Sequence, residues 1–123
     1  MKQSEAKRLR EKRLADHLFR RIFSFLQEPE LWKFRLVKLR GNIKPLRRLG
    51  HGINTVGCVE HDNEVIWIDY RDDVLPTLVH ECLHALYPDA SERRIIRLEN
   101  LCMRQSGPLR GKRLLAQLAF LLW

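Results

Sequence analysis

Residues 74–86 read Val-Leu-Pro-Thr-Leu-Val-His-Glu-Cys-Leu-His-Ala-Leu. Leu75, Leu78, Val79, Cys82 and Leu86 fall at i, i+3, i+4, i+7 and i+11, the stripe of a helix that turns one face to a core. Asp72 or Asp73 offers an N-cap, and Pro76 falls in the first turn, where its missing N–H costs nothing. The spacing therefore predicts one helix through Val74–Leu86. On it His80 and His84 sit one turn apart on the same face, so both imidazoles can reach one metal ion. Glu81 stands beside the first of them, within reach of a metal-activated water without being a ligand. Zinc hydrolases need this arrangement: the metal polarises a carbonyl and acidifies water, and a carboxylate moves the proton.

Working back from this helix, two β-rich runs, Thr55–His61 and Glu64–Tyr70, flank the short polar connection Asp62-Asn63, as in a hairpin. Val65-Ile66-Trp67-Ile68 is the most strand-like stretch of the chain. Trp32–Leu39 alternates well enough for a third, half-buried strand, ended by Gly41, Asn42 and Pro45. The Arg- and Gly-rich stretch Lys44–Asn54 reads as a loop. Residues 3–27 carry Leu14, Leu18, Ile22 and Leu26 four apart, an amphipathic helix closed by Pro29. Its first part, residues 1–13, is a basic helical extension.

Working forward, Tyr87-Pro88 breaks the chain before a helix over Ala90–Arg104, with Asp89 and Glu92 laid out as a capping box. Gly107, Pro108 and Gly111 read as a linker, and Lys112–Leu122 as a last helix. That helix is apolar enough to be either a core element or a docking surface. The expected fold is α+β in one domain over 1–123: an N-terminal helix, a small three-stranded sheet, the motif helix, and one or two C-terminal helices.

The 123 residues allow one modest core and exclude a large Rossmann sheet or a barrel. Cys58, Cys82 and Cys102 are too few and scattered for a disulfide framework or a CxxC site, and are expected to be reduced and buried. The N-terminus lacks the apolar run of a secretory signal, and no segment approaches the length of a membrane span. A cytoplasmic location and no membrane partner are therefore expected.

The formal charge of +8 is unevenly placed. Residues 1–50 hold 15 Lys/Arg against 5 Asp/Glu, whereas residues 51–123 hold 8 against 10. The basic part suggests an anionic partner such as nucleic acid, or else a solvated face. The alternative function is accordingly a nucleic-acid-associated binding module whose metal site is structural or degenerate.

His80-Glu81-Cys82-Leu83-His84 resembles the HExxH motif of the zincin metallopeptidases, and the short chain looks like the minimal zincins of bacteria and phages. The resemblance spans roughly Thr55–Arg104. It implies zinc as cofactor, His80 and His84 as ligands, Glu81 as general base, and a peptide or protein substrate. It also implies that a strand of the hairpin, Glu64–Tyr70 for example, could bind substrate by β-addition; simple packing of Ile66 and Ile68 on the helix is the other reading of that strand.

Catalytic zinc needs a third protein ligand. No histidine follows His84, which removes the metzincin and SprT-like patterns, and His51 and His61 lie upstream. The acidic candidates are Asp89, Glu92 and Glu99. A glutamate on the helix after the motif is what the gluzincin branch uses, and Glu92 is chosen because the Tyr87-Pro88 turn could bring it over the site. Its other reading is a cap for its own helix. An oxyanion stabiliser is expected from Tyr87, Tyr70 or His61, among which the sequence does not choose.

Overall fold

The computed structural model describes residues 2–28 and 32–122. Among these, five helices surround a three-stranded mixed sheet, an α+β arrangement: α1 (Lys2–Leu26), β1 (Lys33–Val37), α2 (Ile43–Leu49), β2 (Gly57–Glu60), β3 (Val65–Asp69), α3 (Val74–Leu86), α4 (Glu92–Gln105) and α5 (Gly107–Leu121). The N-terminal helix, the hairpin and the motif helix lie where the sequence places them. Pro29, expected to close α1, lies outside the described residues. No described helix is long and apolar enough to cross a membrane.

The strand order is β1-β3-β2. β3 pairs in parallel with β1, Phe34 opposite Ile66, and antiparallel with β2, Gly57 opposite Ile68. Glu64 closes the hairpin with a positive φ of 55°. This order corrects one expectation. Glu64–Tyr70 contains the central strand, hydrogen-bonded on both sides, so it has no free edge for a substrate; β2 is the edge strand on that side.

Alternation decides which face meets which layer. Phe34 and Leu36 of β1, Ile66 and Ile68 of β3, and Val59 of β2 join the main core. Leu78, Val79, Cys82 and Leu83 of α3, Leu18, Ile22 and Leu26 of α1, Ile95 and Cys102 of α4, and Leu114 and Leu118 of α5 complete it. The opposite sheet face carries a smaller cluster in which Leu39, Leu46 and Cys58 are buried beneath Val37, Leu49 and Trp67. All three cysteines are free and buried.

That second cluster explains another correction. The expected loop after Lys44 is largely the short helix α2, because Leu46 and Leu49 have sheet to cover. Pro45 is tolerated in its first turn. Gly50, at φ 77°, ends it in the left-handed conformation that glycine adopts without penalty.

Two further boundaries differ from expectation. The cap of α4 is Ser91, whose Oγ accepts from the Arg94 N–H at 3.2 Å, rather than Asp89, so Glu92 is released from a capping role. The Gly107-Pro108-Gly111 stretch is helical, and Pro108 occupies the first turn of α5. Gly111 lets α5 approach α3 closely: a Cβ there would lie 2.8 Å from Leu75 Cδ2. In α5, Leu114 and Leu118 face the core while Leu115 and Phe120 stay exposed.

Asp69 pins the end of β3. It is fully buried and accepts from the backbone N–H groups of Leu39 (3.0 Å), Arg40 (2.7 Å) and Arg71 (2.9 Å). The Arg71 guanidinium donates to both of its oxygens, at 3.0 and 2.6 Å.

Candidate metal centre

The motif helix buries one face and leaves His80 and His84 at its border. Their ring centroids are 4.9 Å apart. Donor atoms of His80, Glu81 and His84 all lie within 4.8 Å of one another, a grouping that could hold a metal ion.

The next helix completes the surroundings. After the Tyr87-Pro88 break, α4 packs against α3 and brings two carboxylates over the imidazoles. Glu92, in its first turn, places Oε1 2.7 Å from His80 Nε2 and Oε2 2.7 Å from His84 Nε2. Glu99, two turns on, places Oε1 2.6 Å from His80 Nδ1. Glu92, the ligand chosen from the sequence, and its alternative Glu99 thus occupy different positions. Glu92 faces both Nε2 atoms, whereas Glu99 meets the rear nitrogen of His80. Asp89 is exposed in the turn and has no contact with either histidine among the described hydrogen bonds and ion pairs.

The donor set suits a divalent cation. A carboxylate can only accept, so Glu99 takes the Nδ1–H of His80; in this arrangement Nε2 likewise donates to Glu92, and without that proton its lone pair would point to the place that His84 Nε2 and Glu92 also face. Two imidazole nitrogens and one carboxylate converging from successive helices is the N/O chemistry that zinc favours. The three carboxylates of Glu81, Glu92 and Glu99 add a negative field that favours a cation.

Glu81 is held differently from the other two. It is buried, and loss of hydration pushes its carboxyl up to about 7; His80 pulls it down while Glu92 and Glu99 push it further up. Its side chain lies against Gly57 of the edge strand: a Cβ at Gly57 would fall 3.1 Å from Glu81 Cγ and Oε2, and 2.6 Å from Thr77 Cγ2. The absence of a side chain at Gly57 therefore makes room for the carboxylate.

A cleft of about 340 Å³ opens at this point. Asn54, Thr55, Val56 and Gly57 form one wall, Pro76 and Thr77 another, and His80, Glu81 and Glu99 lie along it. Asn54, Thr55 and Gly57 went unnoticed in the sequence because their role depends on the strand order. The three candidates for stabilising an oxyanion do not line this cleft. Tyr87 lies under the Arg21 guanidinium, its hydroxyl 3.4 Å from Arg21, Tyr70 is exposed, and the His61 ring packs edge-on to Trp32 at 6.0 Å. His51 and His61 line a separate depression bounded by Arg48 and Cys58.

No protein family, curated protein or solved structure matches this chain.

Proposed function

We propose that the protein is a zinc-dependent peptidase of zincin type. The observation that carries this reading is the convergence of His80 Nε2, His84 Nε2 and the Glu92 carboxylate, with the buried Glu81 alongside. His80, His84 and Glu92 would hold the zinc, and Glu99 would fix the His80 ring from behind. When bound, the zinc supplies Lewis acidity to a carbonyl oxygen and acidifies a water.

The chain's own residues account for the remaining steps. Glu81 accepts the proton of the attacking water at its carboxylate and delivers it to the departing amine nitrogen. Its raised proton affinity suits a group that must both take and return a proton near neutral pH. The edge at Asn54–Gly57 offers backbone groups beside the catalytic carboxylate, so an extended peptide can lie along β2 with its scissile bond over Glu81. The lack of a side chain at Gly57 keeps that approach open.

The test is peptide hydrolysis by the zinc-loaded protein, measured on a pool of unstructured peptides. Glu81→Gln should keep the metal and lose hydrolysis by at least about 100-fold, the contribution of a general base. Zinc-loaded wild type that cleaves no peptide in the pool, or a Glu81→Gln variant as active as wild type, would overturn the reading.

A further inference from the structure

The excess positive charge has a narrower address than the N-terminal half as a whole. Residues 31–59 contain seven Lys/Arg and no Asp or Glu, whereas the preceding 30 residues hold eight against five. The fold places the seven cations of this segment on β1, on the stretch that follows it and on α2, which covers the sheet face turned away from the metal centre. On β1, Lys33 and Arg35 alternate with the core residues Phe34 and Leu36, so they project on the α2 side, Arg35 in register with Trp67. Lys38 and Arg40 follow the strand, and Lys44, Arg47 and Arg48 lie on α2. All seven are exposed.

Few of these charges are neutralised. Among the described residues, Arg40 pairs with Asp72 at 3.3 Å, and Arg48 reaches Glu60 at 3.8 Å while lying over the Trp67 ring at 5.5 Å. Lys33, Arg35, Lys38, Lys44 and Arg47 have no carboxylate within ion-pair distance in the described structure. Like charges gathered at such density raise the energy of the folded state unless a polyanion shares the surface.

We propose that this face, formed by β1 and α2, binds the phosphate backbone of nucleic acid. Three features favour nucleic acid over other anionic partners. Four of the seven cations are arginines, whose planar fork matches phosphate oxygens in pairs. The exposed large apolar groups bordering it are Ile43, Ile53, Leu122 and Tyr70, and the aromatic ring on the face itself, Trp67, is half-buried beneath Arg48 rather than presented as the anchor of a protein interface. The seven-residue α2 is too short to serve as an interfacial helix on a membrane. Binding here leaves the cleft at His80 and Glu81 free on the other side of the sheet, so the face would locate the protein rather than take part in its chemistry. The proposal stands independently of the peptidase reading.

The experiment is fluorescence anisotropy with a labelled 20-base-pair DNA duplex and an RNA of the same length, titrated across salt concentrations. Wild type should bind at least one of them, with log K falling linearly in log salt at a slope of about −3 to −4, as for four neutralised phosphates. Substituting Lys33, Arg35, Lys44 and Arg47 together by Gln should weaken binding at least about tenfold at low salt and flatten the slope by about three. These four are exposed and, among the described residues, unpaired, and an unchanged melting temperature checks the fold. The matching control replaces Lys7, Arg8, Arg10 and Lys12 on α1 by Gln and should leave most of the affinity. Negligible binding of both nucleic acids by wild type, equal loss in the α1 control, or tighter binding to anionic vesicles than to either nucleic acid would each overturn the proposal.

Discussion

Glu99 Oε1 lies 2.6 Å from His80 Nδ1, on the side of the ring opposite Glu92. One histidine is thus held between two carboxylates in separate positions: Glu99 meets Nδ1 behind the ring, and Glu92 bridges the outward Nε2 of His80 and the Nε2 of His84. Glu99→Ala should keep the fold and lower zinc affinity by about 10- to 100-fold. Glu99→Gln, whose amide oxygen can still accept the Nδ1–H, should lose less. Competition with a chromophoric chelator measures both, and equal affinities in wild type and Glu99→Ala would show that Glu99 does not support the ring.

Gly57 makes a different kind of prediction, because its cost is steric. In Gly57→Ala the new methyl meets Thr77 Cγ2 at 2.6 Å, and overpacking of this kind costs about 1–3 kcal/mol. Adding Thr77→Ser removes that methyl and should restore most of the lost stability. The 3.1 Å approach to Glu81 remains in the double variant, so its hydrolysis should stay impaired while zinc binding is retained. Urea unfolding and zinc titration of the single and double variants check this, and a Gly57→Ala protein as stable as wild type would contradict it.

Burial of Glu81 predicts how the metal-free protein responds to pH. Its carboxyl is raised from 4.5 to about 7 in the fold, so the folded state binds its proton more tightly than the unfolded chain does. Stability should therefore fall as pH rises from about 4.5 through 7, by about 3 kcal/mol relative to Glu81→Gln. Urea midpoints of both proteins at pH 5 and pH 8, with chelator present, give the comparison. Parallel behaviour of the two would show that Glu81 is not buried as described.

Asp69 has the opposite sign. The Arg71 guanidinium first, and then the backbone N–H groups of Arg71, Arg40 and Leu39, hold its carboxyl well below the usual carboxylate range. Its contribution is present above the ordinary pKa of about 3.9 and is lost as pH falls below it. Asp69→Asn turns an amide N–H₂ toward these donors and leaves the partly exposed Arg71 without its carboxylate, which should cost about 1–3 kcal/mol at neutral pH. Thermal unfolding measures the loss. A variant of wild-type stability would mean that the junction of β1, β3 and the Arg71 fork is not a structural node.

Much of the site is local and was therefore legible in the sequence. The stripe from Leu75 to Leu86 reports helix α3 because burial on one face needs that spacing, and the same periodicity puts His80 and His84 side by side. The Tyr87-Pro88 turn pointed to Glu92 over Glu99, but their separate positions around the His80 ring were not legible. Both share a face of α4, and only the packing of α4 on α3 decides which reaches Nε2 and which Nδ1. Reading Asp89 as the cap hid this, since Ser91 takes the cap and frees Glu92. Strand order was hidden as well: Val65–Asp69 looks the same in sequence whether central or at an edge, and the parallel pairing with Lys33–Val37 is a long-range contact. α2 was missed because its apolar positions, Leu46 and Leu49, are few and lie among arginines, and tertiary burial rather than propensity makes it a helix.

The central claim is that His80, His84 and Glu92 together hold one zinc ion. It is tested most directly by metal analysis of protein stripped with chelator, reloaded with zinc and desalted, comparing wild type with Glu92→Ala and His84→Ala. Wild type should retain about one zinc per chain, as a single catalytic site requires, and both variants should fold yet retain far less. Folded wild type that holds no zinc, or a Glu92→Ala protein that holds it as tightly as wild type, would contradict the account.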